Sequence, residues 1–201
     1  MTDKTYKEII KEAQEYIIRL AKKNGWMWFY KMHQTEMVCE AEKLLTLYPK
    51  ADKKIVIIAC WLHDNAHYPA RNGDEIIAVK KNHHIISARQ AEEILKKYKL
   101  EEKEVRAIIN CILCHRNTAP YRAGTLEEKI VAVADTLSHF TSIFYLTYFK
   151  FHPEKTLEQM VAEDLAKLER DWDDLSLLPK ARSLVKREFE VLNKLLKNYK
   201  K

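Results

Sequence analysis

Glycine and proline are scarce in this chain of 201 residues, with three and five respectively, too few to punctuate the many tight turns of a sheet fold. No window holds about 18 uncharged apolar residues, so no membrane-spanning helix is expected. The opening MTDKTYKEIIKEAQEYIIRL is amphipathic and acid-containing, unlike a secretory leader, which predicts a cytoplasmic protein. Cysteine is confined to Cys39, Cys60, Cys111 and Cys114. All lie in helical or apolar contexts, and a reducing cytosol keeps such residues as thiols, so no disulfide is expected. A strong charge imbalance is also lacking: 35 basic residues against 29 acidic give +6. That mild excess suits phosphorylated anions, and without an aromatic-basic recognition motif it does not predict nucleic-acid binding. The basic end, Lys194 to Lys201, reads as a solvated tail.

What is abundant is Lys, Glu, Ala, Leu and Ile, with 47% hydrophobic residues. One domain with an all-α fold of about seven to eight helices follows. Apolar spacing near 3.6 places them at about Asp3 to Lys23, stopped by Asn24-Gly25, then Lys31 to Tyr48, Asp52 to Trp61, His83 to Tyr98, Glu101 to His115, Leu126 to Phe149, Thr156 to Asp171 and Pro179 to Asn198. The acidic Asp171 to Asp174 segment separates the last two. The third helix is nearly all apolar from Ile55 to Leu62, so it is expected to be buried on every side and to deliver His63 and Asp64 to the domain centre. The last helix, with Leu184, Val185, Phe189, Leu192, Leu195 and Leu196, reads as a docking helix with a solvated Lys face.

Metal-ligand residue types recur at helix ends and centres: His33, His63 with Asp64, His83 or His84, His115, then Asp135. Consecutive side chains on a helix point about 100° apart, so His63 and Asp64 can reach one ion only where the helix ends. Asp135 lies in Ile130-Val131-Ala132-Val133-Ala134-Asp135-Thr136-Leu137, otherwise a core run. An ionised carboxylate buried there costs several kcal/mol unless a cation or strong donors compensate. A metal supplies that compensation.

The ordered set MHQTEMV, IIACWLHDNAHYP, NHHIISARQAEEIL, CILCHRN and IVAVADTLSHF resembles the HD superfamily of metal-dependent phosphohydrolases over about Lys31 to Phe149, with the terminal helices packed around that core. The resemblance implies a single helical bundle of the HD type. It implies His33, His63, Asp64 and Asp135 as metal ligands, with His83 and His115 holding a second ion or gripping phosphate. His83 is favoured over His84 because it stands four residues before Ser87-Ala88. His67, three residues after Asp64, occupies a place where some members carry a water-positioning carboxylate; it reads either as an acid-base group beside Asp64 or as a hydrogen-bond partner of a ligand. Asn65 is a weaker candidate for touching the water.

The implied chemistry is hydrolysis of a phosphate ester or anhydride of a small nucleotide-like substrate by metal-activated water, with one or two divalent ions of Mn, Fe, Co, Ni, Zn or Mg. Arg116 leads the candidates for binding non-reacting phosphates, ahead of Arg71, Lys80, Lys81 and Arg122. Two other classes fit the same set: a di-iron oxygenase of a carbon substrate, and a non-catalytic regulatory domain. The Cys111 to His115 run spells CxxCH, the haem-attachment pattern, but its spacing also puts Ile108, Cys111, Ile112 and His115 on one inward helix face. The aromatics Trp26, Trp28, Phe29 and Tyr30 read as packing, with a base-stacking wall as the alternative. The Phe140 to Phe151 stretch (Phe144, Tyr145, Tyr148, Phe149) reads as core, or as a contact in a homo-oligomer.

Overall fold

The computed structural model describes residues 1–151 and 155–199, excepting the side chains of 148–151. Lys200, Lys201 and the side chains of Tyr148, Phe149 and Phe151 therefore lie outside the described residues. Among those described the fold is all-α, without strands; an isolated bridge pairs Thr118 with Tyr121. Among the described residues no helix is long and apolar enough to cross a membrane. All four cysteines are free, and Cys39 alone among them is exposed.

Helix α1 (Asp3–Asn24) starts where the Thr2 hydroxyl accepts from the Thr5 amide and ends at Gly25, whose φ of 79° is left-handed and whose N–H returns to Ala21. A side chain is strained at such a φ, and glycine is not. Its stripe of Ile9, Ala13, Ile17 and Ala21 is buried. A short unanticipated turn α2 (Met27–Phe29) precedes the second expected helix, which is two pieces: a π-helical segment (Tyr30–Gln34) and α3 (Thr35–Leu47). The wider π turn brings Met32, His33 and Gln34 inward together. His33 thus sits in the π segment rather than opening a helix.

Helix α4 (Lys53–Leu62) is capped by Asp52, which accepts from the amides of Lys54 and Ile55. Every residue from Ile55 to Leu62 is buried, with α1, α3, α7 (Glu102–Cys114) and α8 (Leu126–Thr141) packed around it. Burying each Ile or Leu contributes about 1.5–3 kcal/mol, enough to fix this helix as the axis of the domain. Beyond it comes an unanticipated helix, α5 (Gly73–Lys80), capped by Asn72, and then α6 (His83–Leu95). Capping boxes open α7, through Glu101 and Glu104, and α8, through Thr125 and Glu128.

The expected Leu126 to Phe149 helix breaks. Ser142 is extended, and α9 (Phe144–Phe151) starts afresh. The cause is local: the Ser142 hydroxyl donates to Ser138 O and accepts from the Phe144 amide, so it ends one helix and caps the next. Conversely, α10 (Leu157–Asp174) runs through the acidic segment expected to separate helices, because Asp171 is buried against partners described below. Past a 3-10 turn at Leu175–Leu177, the last expected helix is split at Val185 into α11 (Ala181–Leu184) and α12 (Lys186–Tyr199). Val185 and Leu196 are buried and Phe189 stacks on Trp172 at 4.1 Å, but Leu184 and Leu195 are exposed rather than docked.

Candidate metal centre

The end of α4 creates the geometry that a continuous helix forbids. His63 is the last residue with helical dihedrals, Asp64 turns to φ −113° and ψ 19°, and a 3-10 turn covers Asn65–His67. At three residues per turn, positions i and i+3 eclipse, which sets His67 over Asp64 with Nε2 3.7 Å from Oδ1. The Ser87 hydroxyl on α6 accepts from the Ala66 amide and pins this turn.

Four histidines from four different segments then point Nε2 inward because their Nδ1 atoms are anchored. His63 Nδ1 donates to Cys60 O (2.8 Å), His83 to Lys80 O (2.7 Å) and His115 to Ile112 O (2.7 Å). His33 Nδ1 lies 2.9 Å from Ser138 Oγ, whose own proton goes to Asp135 O, so His33 is again the donor. Metal-binding histidines are oriented in this manner, the outer N–H held and the inner nitrogen bare.

These Nε2 atoms surround two carboxylates. Asp64 Oδ2 is 3.4 Å from His33 Nε2 and 3.5 Å from His63 Nε2, while Oδ1 is 3.4 Å from His83 Nε2 and 3.9 Å from His115 Nε2. Asp135 Oδ1 lies 3.2 Å from His33 and 3.6 Å from His63. One Asp64 oxygen thus faces each histidine pair. The groups His33, His63, Asp64 and Asp64, His67, His83 each bring donor atoms within 4.8 Å of one another. These imidazole and carboxylate donors fit a divalent transition ion, and a bridging carboxylate fits two.

Electrostatics agrees. Burial alone would push the Asp64 carboxyl up, but His63, His67, His83 and a hydrogen bond from His33 hold it well below the usual carboxylate range. Asp135 is held low in the same way by His139, His33 and His63. Burial, with His63 beside it, pushes His115 down to about 4, and burial likewise lowers His83 and His67. Neutral His67, His83 and His115 beside ionised carboxylates suit metal binding, whereas Asp135 and Asp64 raise the pKa of His33 to about 9, so an ion must displace its proton.

The structure brings His33, His63, Asp64, His67, His83, His115 and Asp135 together, and it separates His83 from His84. The latter packs edge-on to Tyr121 (5.5 Å), and its buried Nδ1 has no hydrogen-bond partner among the described residues. Asn65 is fully buried, with both side-chain amide atoms lacking a hydrogen-bond partner among the described residues, and it does not line the cavity. Asp135 is not embedded in core as expected: its neighbours Ile130 to Ala134 are, while its own carboxyl opens onto a cavity of about 320 Å³. Arg116 lines that cavity, with Nη1 donating to Lys81 O (2.8 Å), and Lys80 lines it too. Arg71 is instead paired with Glu75 at 2.6 Å, Arg122 donates to Asn117 O, and Lys81 does not reach the cavity. Trp28, Phe29 and Phe144 form apolar walls of the cavity, whereas Trp26 and Tyr145 are buried.

Sequence reading missed His139 and its supports. His139 Nε2 is 3.9 Å from Asp135 Oδ1, and its Nδ1 is 3.0 Å from Asp171 Oδ2. Asp171 also binds Lys167 Nζ and the Tyr145 hydroxyl. Burial opposes ionisation of Asp171, yet Lys167, His139 and Tyr145 hold its pKa at about 2. A signal for His139 existed, since it stands one helical turn after Asp135; none existed for Asp171.

A family model described as HD domain matches residues 14–139. No curated protein and no solved structure matches the chain.

Proposed function

The chain belongs to the HD-domain family, whose members are typically metal-dependent phosphohydrolases, and on that premise we propose that it hydrolyses a phosphate ester or anhydride of a small nucleotide-like substrate. The observation that carries the reading is the division of Asp64, with one oxygen toward His33 and His63 and the other toward His83 and His115. His33, His63, Asp64 and Asp135 would hold one ion; His83 and His115, with the other Asp64 oxygen, would hold a second or grip phosphate. When bound, a divalent ion lowers the pKa of its water and offsets charge on the phosphoryl oxygens.

The chain's own residues do the rest. Asp64 orients the attacking water, and His67, kept neutral by burial with Nε2 toward Asp64, takes its proton. Arg116 binds the non-reacting phosphate. Trp28, Phe29 and Phe144 exclude water from one side and offer flat surfaces to a base. A cavity of about 320 Å³ is at the small end of ligand sites, which favours a mononucleotide-sized substrate over a polymer. The flanking helices complete one domain with the core.

Metal analysis of the purified protein, followed by a phosphate-release screen over nucleotides, dinucleoside polyphosphates and sugar phosphates, tests this. Release stimulated by manganese, cobalt or nickel and lost in Asp64→Asn is expected; metal-replete protein that releases phosphate from none of them rules it out. The facing pair His83 and His115 also favours a second reading, a di-iron oxygenase, which the same analysis would reveal as two irons per chain with oxygen consumption.

A further inference from the structure

His139 has no role in the ligand set above. It follows Asp135 by one turn of α8, so the two side chains share a face. Its ring is nearly parallel to that of His33, at 5.3 Å and 16°, and His33, Asp135 and His139 offer donor atoms all within 4.8 Å of one another. Its Nδ1 approaches Asp171 Oδ2 at 3.0 Å. A carboxylate only accepts, so this contact puts the ring proton on Nδ1 and leaves Nε2 bare toward Asp135. That is the orientation already found for His63, His83 and His115, each with Nδ1 held by an acceptor.

The support is firmly built. Asp171 is fixed by Lys167 Nζ, at 2.9 Å from each oxygen, and by the Tyr145 hydroxyl at 2.7 Å. Lys167 Nζ also lies 3.3 Å from His139 Nδ1, but its stronger acceptors are the Asp171 oxygens. Phe144 covers the His139 ring at 3.9 Å. Packing alone does not require, behind an imidazole, a buried carboxylate held by two further donors. Orientation of a metal ligand does.

We propose that His139 is a further protein ligand of the ion held by His33, His63, Asp64 and Asp135, oriented by Asp171. The set becomes three imidazoles and two carboxylates. Such a donor set, rich in imidazole, would favour a transition ion over magnesium, which prefers oxygen and water.

The proposal rests on the metal reading above, and cobalt binding by the full chain, followed by elemental analysis and visible absorption, separates the two. Wild-type protein that binds no cobalt overturns both. Wild-type protein that binds cobalt while His139→Ala binds it with the same affinity and spectrum overturns this proposal alone. The expected result is a loss of about 10–100-fold or more in affinity for one ion in His139→Ala, with a shifted absorption band, and a smaller loss in Asp171→Asn. Should His139→Ala fail to fold, wild-type protein carrying NMR-active cadmium and nitrogen-labelled histidine decides. Cadmium coupling to His139 Nε2 is expected, and coupling at other histidines without it overturns the proposal.

Discussion

The Nε2 atoms of His83 and His115 face each other at 2.9 Å, yet both rings have committed their Nδ1 protons to carbonyls. Burial, which holds His115 at about 4 and His83 well below its usual value, disfavours a proton between them at neutral pH. Two bare lone pairs at that distance repel unless a cation joins them. Metal-loaded protein is therefore expected to hold two ions per chain, and His115→Ala one, by elemental analysis of the folded fraction. The variant also orphans Ile112 O, at a cost of about 1–3 kcal/mol, so circular dichroism must accompany the assay. Two ions retained in His115→Ala would remove the case for a second site.

His33 gives a pH dependence whose direction can be worked out. Burial disfavours its imidazolium, but Asp135 and Asp64 outweigh burial and raise its pKa to about 9. A folded pKa above the unfolded value of about 6.5 means stabilisation that is full below pH ~6.5 and lost as pH rises through ~9. Chelator-treated protein should thus lose thermal stability over that window. Metal must displace the same proton. Calorimetric titration at pH 7 in buffers of different ionisation enthalpy is expected to detect about one proton released per chain at the first ion, and zero release would contradict the assignment of His33 as a ligand.

Helix positions were legible where one residue type did one job. The apolar run from Ile55 to Leu62 could only be interior, and Asn24-Gly25 could only end a helix. The six candidate ligands were legible because each stood near an expected helix end or interrupted an apolar face. The rest depended on side chains acting on distant or neighbouring backbone. Ser142 reads as an ordinary polar residue until its hydroxyl is seen to end α8 and cap α9. Asp171 reads as part of a solvated acidic hinge because its partners His139 and Tyr145 lie 32 and 26 residues away. The π turn at Tyr30–Gln34 has no composition of its own. It is a register change, visible only when both His33 and Gln34 must face inward, the latter to donate to Cys60 O at 2.7 Å.

Arg116, the leading phosphate-binding candidate of the sequence, lines the cavity. Its donation to Lys81 O uses one nitrogen and leaves the rest of the fork at the cavity wall. Hydrogen bonds to a charged partner contribute about 1.5–3 kcal/mol, so Arg116→Ala is expected to raise KM about 10–100-fold. If Arg116 grips only a non-reacting phosphate, kcat stays nearly unchanged. Lysine should rescue poorly, because it lacks the planar fork. Steady-state kinetics on whichever substrate the phosphate screen identifies supplies the test: an equal fall in kcat and kcat/KM would move Arg116 from substrate binding to the reacting phosphoryl group.

Asp164 carries the opposite sign from His33's supporting carboxylates. It is buried on α10, and neither of its oxygens has a hydrogen-bond partner among the described residues. Burial pushes its pKa up to about 7, against the pull of Lys167. An unfolded carboxyl titrates near 3.9, so between about pH 4 and 7 the folded chain holds a proton that the unfolded chain has released. Stability contributed by this group is full below pH ~4 and is lost as pH rises through ~7. Asp164→Leu removes both the titration and the unmet oxygens in a similar volume. It is expected to stabilise the protein by about 1–3 kcal/mol at pH 8, the range for a buried polar group without a partner, and by much less at pH 4. Urea unfolding at the two pH values measures the difference. A variant less stable than wild type at pH 8 would mean that a cation holds the ionised Asp164 carboxylate in the folded protein.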